Sequence, residues 1–312
     1  MRDAFIRTLT EMAAADPRIV LVTGDLGFGV VNEFASRFPR QFINAGVAEQ
    51  NMTGLATGLA LEGHIVYTYS IANFVFMRCL EQIRNDAAYH RANVNVVCVG
   101  GGFSYGALGI SHHATEDLAI MRSIPDCTVF CPADVWETEE VTRASAKLPG
   151  VCYLRLDKSK AQTAPASQPL AVGRARMIRQ GSDLTFVTAG GILQEVLLAC
   201  ERLNAVGIQA RVLSLPTIKP LDAAALEQAA RETGAMITVE EHTRIGGLGS
   251  AVAEVLLESP WRPAAFLRIG LDDQFSSVVG SQSYLRSHYR LDAEAIFQAA
   301  RKLAPQRLPR VA

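Results

Sequence analysis

Residues Phe42 to Asp86 read FINAGVAEQNMTGLATGLALEGHIVYTYSIANFVFMRCLEQIRND. Phe42-Ile43-Asn44 is a short apolar lead-in, and Ala45-Gly46 turns the chain. A helical pattern begins near Val47-Ala48, so Glu49 falls in the first turn. The helix carries Gly54, Ala56, Gly58 and Ala60 among leucines. Glycine inside a helix costs about 1 kcal/mol relative to alanine. Two glycines on one face therefore predict something packed close against them. Taken alone, Glu49 is an ordinary first-turn acid, favoured by free amides and the helix dipole. The apolar, small-sided helix behind it suits a second reading, a buried acid that hydrogen-bonds a heterocycle.

On both sides of this stretch, strands and helices alternate. Ile19–Thr23 is a continuous apolar strand, as a parallel sheet buried on both faces requires. His64–Tyr69, Val94–Val99, Cys127–Phe130 and Val151–Leu156 read as further strands, separated by helical patterns such as Asn73–Tyr89 and Val135–Ala146. Lys158–Leu170 has no apolar period and reads as a linker. A second alternation follows it, with strands at Leu184–Val187, Ile208–Leu213, Ala235–Val239 and Ala264–Ile269, and it ends in the tail APQRLPRVA. The expected architecture is α/β: two domains, each a mostly parallel sheet with helices on both faces, over residues 1–157 and 171–312. In such sheets ligands sit beyond the carboxyl ends of the strands.

The composition narrows the function classes. The 312 residues are 49% hydrophobic and 20% charged, with net charge −1. That suits full cores and points to neither nucleic acid nor an anionic membrane. No apolar run reaches bilayer length. The amphipathic, acid-containing N-terminus is no secretory signal, which suggests the cytoplasm. The six cysteines sit mostly in apolar segments without a completing metal-ligand pair, so they read as reduced core residues.

Several residues invite a chemical role. Gly100–Gly109 is glycine-dense but fits neither phosphate-loop pattern. His112-His113 closes that loop, and adjacent imidazoles at a strand end can move protons or bind hydroxyls. Phe74 and Tyr69 flank a strand-to-helix turn, where a ring belongs to the core or stacks on a heterocycle. Arg155 ends a strand beside Asp157, which allows either an ion pair or an anion clamp. Glu240-Glu241-His242 precedes GGLGS and reads as structural or as part of an interface.

Six segments in register then carry a resemblance: AGVAEQNMTGLATGLALEG, ANF with RCLEQIRNDAAY, GISHHATEDLAIMRSIP, CPAD, YLRL, and TVEEHTRIGGLGSAVAEVL. Together they resemble the carboxyl-terminal part of transketolases, and above all the small subunit of split transketolases. They are also similar to the corresponding half of deoxyxylulose-phosphate synthases and, more distantly, to 2-oxoacid dehydrogenase beta subunits. The resemblance implies a pyrimidine-binding domain for thiamine diphosphate, followed by the family's C-terminal domain. Glu49 matches the glutamate that contacts the aminopyrimidine ring, a task that burial of a carboxyl would suit. Phe74 matches a ring stacked on the pyrimidine, and Ile71 stands where many members have a second phenylalanine. Asp25 matches an aspartate near the cofactor. His112 matches a substrate-facing histidine, with His113 in place of the usual glutamine, and Arg155 is similar to the arginine that binds a sugar phosphate. The family holds Mg²⁺ and the diphosphate through a GDG motif; here only Gly24-Asp25-Leu26 is present. The resemblance therefore implies a separate partner subunit with that half-site, in an α2β2 assembly, and no metal ligand in this chain.

Against the family pattern, Leu108 replaces an aspartate that reads a substrate hydroxyl, Gly100 stands where transketolases have a phosphate- and substrate-contacting histidine, and Gly29 stands near a phosphate-binding serine position. Losing built polar contacts changes selectivity strongly. The expected function is two-carbon ketol transfer on a modified sugar. A 2-oxoacid dehydrogenase-type or deoxyxylulose-type subunit, and a non-catalytic assembly subunit, are the alternatives.

Overall fold

The apolar runs of the first half become β1 (Ile19–Thr23), β2 (Phe42–Asn44), β3 (Ile65–Ile71), β4 (Val94–Val99), β5 (Cys127–Phe130) and β6 (Val151–Leu156) in a computed structural model describing residues 1–159 and 161–303. These six strands pair in parallel, in the order β5-β6-β4-β3-β1-β2. Helices α1 (Arg2–Ala15), α2 (Asn32–Arg37), α3 (Glu49–Leu61), α4 (Ala72–Phe76), α5 (Leu80–Gln82), α6 (Asp117–Ser123) and α7 (Val135–Ser145) accompany them. In the second half β7 (Arg176–Arg179), β8 (Leu184–Thr188), β9 (Ala210–Ser214), β10 (Thr217–Lys219), β11 (Ala235–Thr243) and β12 (Ala265–Leu271) alternate with α8 (Leu193–Ala205), α9 (Ala223–Glu232) and α10 (Leu248–Glu258). Helices α11 (Gln282–His288) and α12 (Ala293–Leu303) close the described chain. The second sheet runs β12-β11-β8-β9-β7, parallel except for β7.

The structure departs from the sequence reading in several places, the unexpected strands β2 and β7 among them. Strand β10 leaves its own half and pairs antiparallel with β5, so the second half supplies an edge strand to the first sheet. It was hidden because Pro216 and Pro220 bracket it, and proline is tolerated only at such edges. The helix expected over Asn73–Tyr89 is broken into α4, α5 and a π-helical turn at Ile83–Ala88. Glu240-Glu241-His242 lies within β11 and not after it. The expected tail, residues 304–312, lies outside the described residues.

One face of the first sheet packs Leu21, Tyr67, Val97 and Leu154 against Phe5 and Leu9 of α1 and Val141 of α7. The other face joins a core that continues into the second half, where Cys131 and Met121 share a cluster with Ile218, Leu226, Leu248 and Val252. Burying each such side chain contributes about 1.5–3 kcal/mol, so the two halves are bound through one apolar core. All six cysteines are free and buried. Among the described residues, no helix is long and apolar enough to cross a membrane.

Candidate active site

In the first sheet the chain steps from β1 outward to β2 and returns to β3 on the other side of β1. The crevice between the carboxyl ends of β1 and β3 is thus a topological switch point, where open α/β sheets place their ligands. Asp25 follows β1, Glu49 is the first residue of α3, and Phe74 lies in α4 directly after β3. Ile71, the last residue of β3, is half-buried.

Glu49 is 5% exposed, on a helix whose preceding residue, Ala48, gives no side-chain cap. Its two carboxylate oxygens lie 3.1 and 3.2 Å from Nη1 of the half-exposed Arg78. The Arg78 guanidinium sits 4.0 Å over the Phe74 ring. Phe74 meets His112 edge-on at 5.3 Å between centroids. Beyond His112 come the Tyr105 ring at 6.4 Å and the Lys158 ammonium 5.0 Å over Tyr105. Glu49, Arg78, Phe74, His112, Tyr105 and Lys158 thus form one file of neighbouring groups. Burial, with His113 adding to it, holds the His112 imidazole below its ordinary pKa. It remains neutral near pH 7 and suited to accept or relay a proton.

Asp25 is exposed in the left-handed backbone region, φ 57°. Asn44 holds it there, accepting from its amide at 3.0 Å and donating to its carboxylate at 2.9 Å. The same Asn44 oxygen accepts from Gly46, so the turn after β1 and the turn before α3 are fixed together.

The glycine-dense loop is crowded by this chain's own side chains. A Cβ at Gly100 would stand 2.2 Å from the Tyr105 ring, one at Gly102 2.3 Å from Glu241, and one at Gly106 2.5 Å from Leu285. The glycines let the second domain press against the loop, which explains why it matches no phosphate-loop pattern. His113 is buried, with Nε2 3.0 Å from the Gly106 carbonyl and Nδ1 2.8 Å from Ser276 Oγ. Both ring nitrogens are engaged inside the protein, so the structure separates it from its exposed-side neighbour His112. Asn73, beside Phe74, donates to the carbonyls of Ser111 at 3.1 Å and His113 at 3.0 Å.

Arg155 lies elsewhere than a substrate clamp would require. It is 1% exposed, pairs with Asp117 at 3.0 Å and Asp157 at 3.6 Å, and donates to the carbonyls of Ala114 and Glu241. Its guanidinium is enclosed among these groups, so the ion-pair alternative describes its geometry. Arg2, paired with Asp3, and Lys158 do line a cleft of about 530 Å³ with Gly100, Ser104 and Tyr105. Glu240 caps α10, accepting from Leu248 and Gly249 amides at 2.7 and 2.9 Å. Burial pushes Glu240 up to about 7 and His242 down to about 4.

Sequence reasoning missed Arg78, Asn73, Tyr105 and Lys158. Arg78 had a local signal, since it stands four residues after Phe74. The exposed face of α3 carries Gly54, Leu55, Gly58 and Leu61, and among the described residues outside the helix's own backbone nothing lies within 4 Å of a Cβ built on either glycine. Phe28, Val47, Tyr89 and Leu108 are each more than half exposed.

Comparison with known proteins gives consistent matches. Residues 1–163 match the family described as transketolase, pyrimidine binding domain, and residues 173–296 match transketolase, C-terminal domain. The chain is 38% identical over 302 residues to a subunit of the apulose-4-phosphate transketolase of Phocaeicola vulgatus, covering 96% of each. It is 36% identical over 309 residues to a 6-deoxy-6-sulfo-D-fructose transketolase subunit of a Clostridium species, covering 98% of this chain and 95% of that one. Among solved structures, a split gene transketolase described as an inactive beta4 tetramer superposes with TM-score 0.87 at 36% identity, covering 97% of both chains.

Proposed function

The chain belongs to the transketolase family, and from that membership we propose that it is the small subunit of a two-component, thiamine diphosphate-dependent transketolase of the cytoplasm. Both domains of the small-subunit type are present over nearly the full length of its relatives. The observation that carries the catalytic reading is the file from Glu49 through Phe74 to His112 at the switch point. A structural copy has no need to keep a buried acid, a half-buried ring and a near-neutral imidazole together.

The residues fit the pyrimidine end of the cofactor. Phe74 offers a ring face, Ile71 an apolar side and Glu49 an acceptor that can hold an aminopyrimidine nitrogen. When bound, thiamine diphosphate supplies the nucleophilic carbon that takes a two-carbon unit from a ketose and passes it to an aldehyde. Glu49 orients and activates the ring, and His112 holds or moves a proton at the substrate's oxygen. Asp25 stands at the rim of the same crevice. The diphosphate and Mg²⁺ we assign to a partner subunit, because Gly24-Asp25-Leu26 lacks the family's metal motif. The exposed apolar face of α3, with its two open glycines, suits docking of that partner in an α2β2 assembly.

The substrate we infer is a modified sugar. Leu108 is exposed at the loop, Gly29 offers no side chain, and Tyr105 fills the space beside Gly100, so three family contacts are replaced. Arg2 and Lys158, and not Arg155, are the cations placed to meet an anionic end of it. Two relatives are named for apulose 4-phosphate and 6-deoxy-6-sulfofructose, which agrees with altered sugars in this branch.

Ketol transfer by the assembled wild-type and Glu49→Gln proteins tests the reading. The variant should bind cofactor within about tenfold of wild type and lose at least roughly 100-fold in turnover. Undiminished turnover would remove Glu49 from the mechanism. Xylulose 5-phosphate turned over as efficiently as any modified sugar would remove the substrate assignment.

A further inference from the structure

The second domain reaches the histidine loop at several points. Glu241 in β11 accepts a hydrogen bond from the Phe103 amide at 2.6 Å, across 138 residues of sequence. It is held by Gln282 at 3.0 Å and by Arg286 Nε. Ser276, 163 residues after His113, meets its Nδ1 at 2.8 Å, while Nε2 of the same ring reaches the Gly106 carbonyl. The Gly280 amide donates to that Gly106 carbonyl at 3.2 Å. Gly102 and Gly106 are the positions where an added Cβ would strike Glu241 and Leu285. On the opposite side Asn73, next to Phe74, holds the carbonyls of Ser111 and His113. The loop is thus gripped between the second domain and the cofactor-side helix, and His112 projects from the grip.

We infer that Ser276 and Glu241 of the second domain are positioning residues for ketol transfer, fixing the loop through His113 and Phe103 so that His112 faces the substrate. The assignment rests on the function proposed above. His113 then acts as an internal brace and not as a proton carrier. Nε2 faces the Gly106 carbonyl at 3.0 Å, and Nδ1 faces both the hydroxyl and the carbonyl of Ser276 at 2.8 and 3.2 Å, so the ring is tied on both sides. The second domain is in this view part of the catalytic apparatus, beyond any role in assembly. A loop that must present one imidazole to a substrate gains rate from being held in a single arrangement, since small misplacements of a catalytic group cost large factors.

Amide hydrogen exchange on the isolated chain tests the brace without any activity. Ser276→Ala and Glu241→Gln should each raise exchange at residues 102–114 by about tenfold or more and leave α3 unchanged, while Ser276→Thr, which keeps the hydroxyl, should stay close to wild type. Ile296→Val in α12, remote from the loop, controls for general loss of stability. Assembled with the partner subunit, Ser276→Ala should lower kcat about tenfold, hold cofactor affinity, and recover as Ser276→Thr. Unchanged exchange in the alanine and glutamine variants overturns the inference. Raised exchange with unaltered kcat overturns its catalytic half. If the wild-type assembly itself shows no ketol transfer, the proposed function fails, and the exchange result alone decides whether the brace exists.

Discussion

Arg78 lies across both recognition groups of the proposed cofactor site: its Nη1 is 3.1 Å from a Glu49 oxygen while its guanidinium stacks 4.0 Å over Phe74. A heterocycle that stacks on Phe74 and reaches Glu49 needs the two surfaces that Arg78 covers.

The first prediction follows from this competition. Displacing an exposed cation–π contact costs about 0.5–1 kcal/mol, and the half-exposed ion pair adds little in water. Arg78→Ala should therefore tighten thiamine diphosphate binding to the assembled protein by up to roughly tenfold. Isothermal titration of the two proteins decides it. A loss of affinity of that size would make the guanidinium part of the cofactor site itself.

Arg155 separates stability from recognition. Removing one member of a buried ion pair leaves uncompensated charge and costs about 3–5 kcal/mol. Arg155→Met leaves Asp117 and Asp157 facing each other across the gap, both fully enclosed. The melting temperature should drop by roughly 10 °C, while KM for a phosphorylated substrate stays within about twofold. A KM raised tenfold at unchanged melting temperature would restore the anion clamp.

These two arginines also mark where the sequence was legible. Glu49, Phe74 and His112 could be singled out because each sits next to a turn whose position is local information, a strand end, a helix start or a glycine-dense loop, and their proposed roles came from the resemblance. The parallel sheets were legible from runs such as VNVVCV, buried at every position. Arg155 was open to two readings because VCYLRL is likewise buried throughout. No alternation marks which side of β6 faces a ligand. What holds the loop could not be read at all, since Glu241 and Ser276 lie 138 and 163 residues from their partners. Strand β10 was concealed by its flanking prolines, and its partner β5 belongs to the other half of the chain.

Gly100 and Tyr105 should behave as a coupled pair. Gly100 has φ 95°, and its added Cβ would lie 2.2 Å from the Tyr105 ring. Gly100→Ala should cost about 3 kcal/mol or more, from backbone strain and steric conflict together. In a Tyr105→Ala background the conflict is gone, and only the strain of roughly 1–2 kcal/mol should remain. Denaturant unfolding of the four proteins gives the coupling. Strictly additive losses would mean that the ring does not occupy this space.

Glu240 gives the chain a dependence on pH with a definite sign. Its folded pKa is pushed up to about 7 from an ordinary 4.5, chiefly by burial. Between those values the folded state binds more protons than the unfolded one, so the contribution is complete below about 4.5 and is lost as pH rises through about 7. His242 works oppositely, since its pKa falls from 6.5 to about 4, and its contribution is lost as pH drops through that window. Burial also raises Asp157, with the same sign as Glu240, but that group is common to wild type and variant and cancels in their difference. Glu240→Gln should be less stable at every pH, because one of the amides of Leu248 and Gly249 then faces an NH₂ group, a loss of about 1–2 kcal/mol. The variant should also lack the fall between about pH 4.5 and 7 that costs the wild type roughly 3 kcal/mol. Melting temperatures of both proteins across that range test the sign: a gap that narrows with rising pH supports it, and a gap that stays constant would mean Glu240 is ionised throughout.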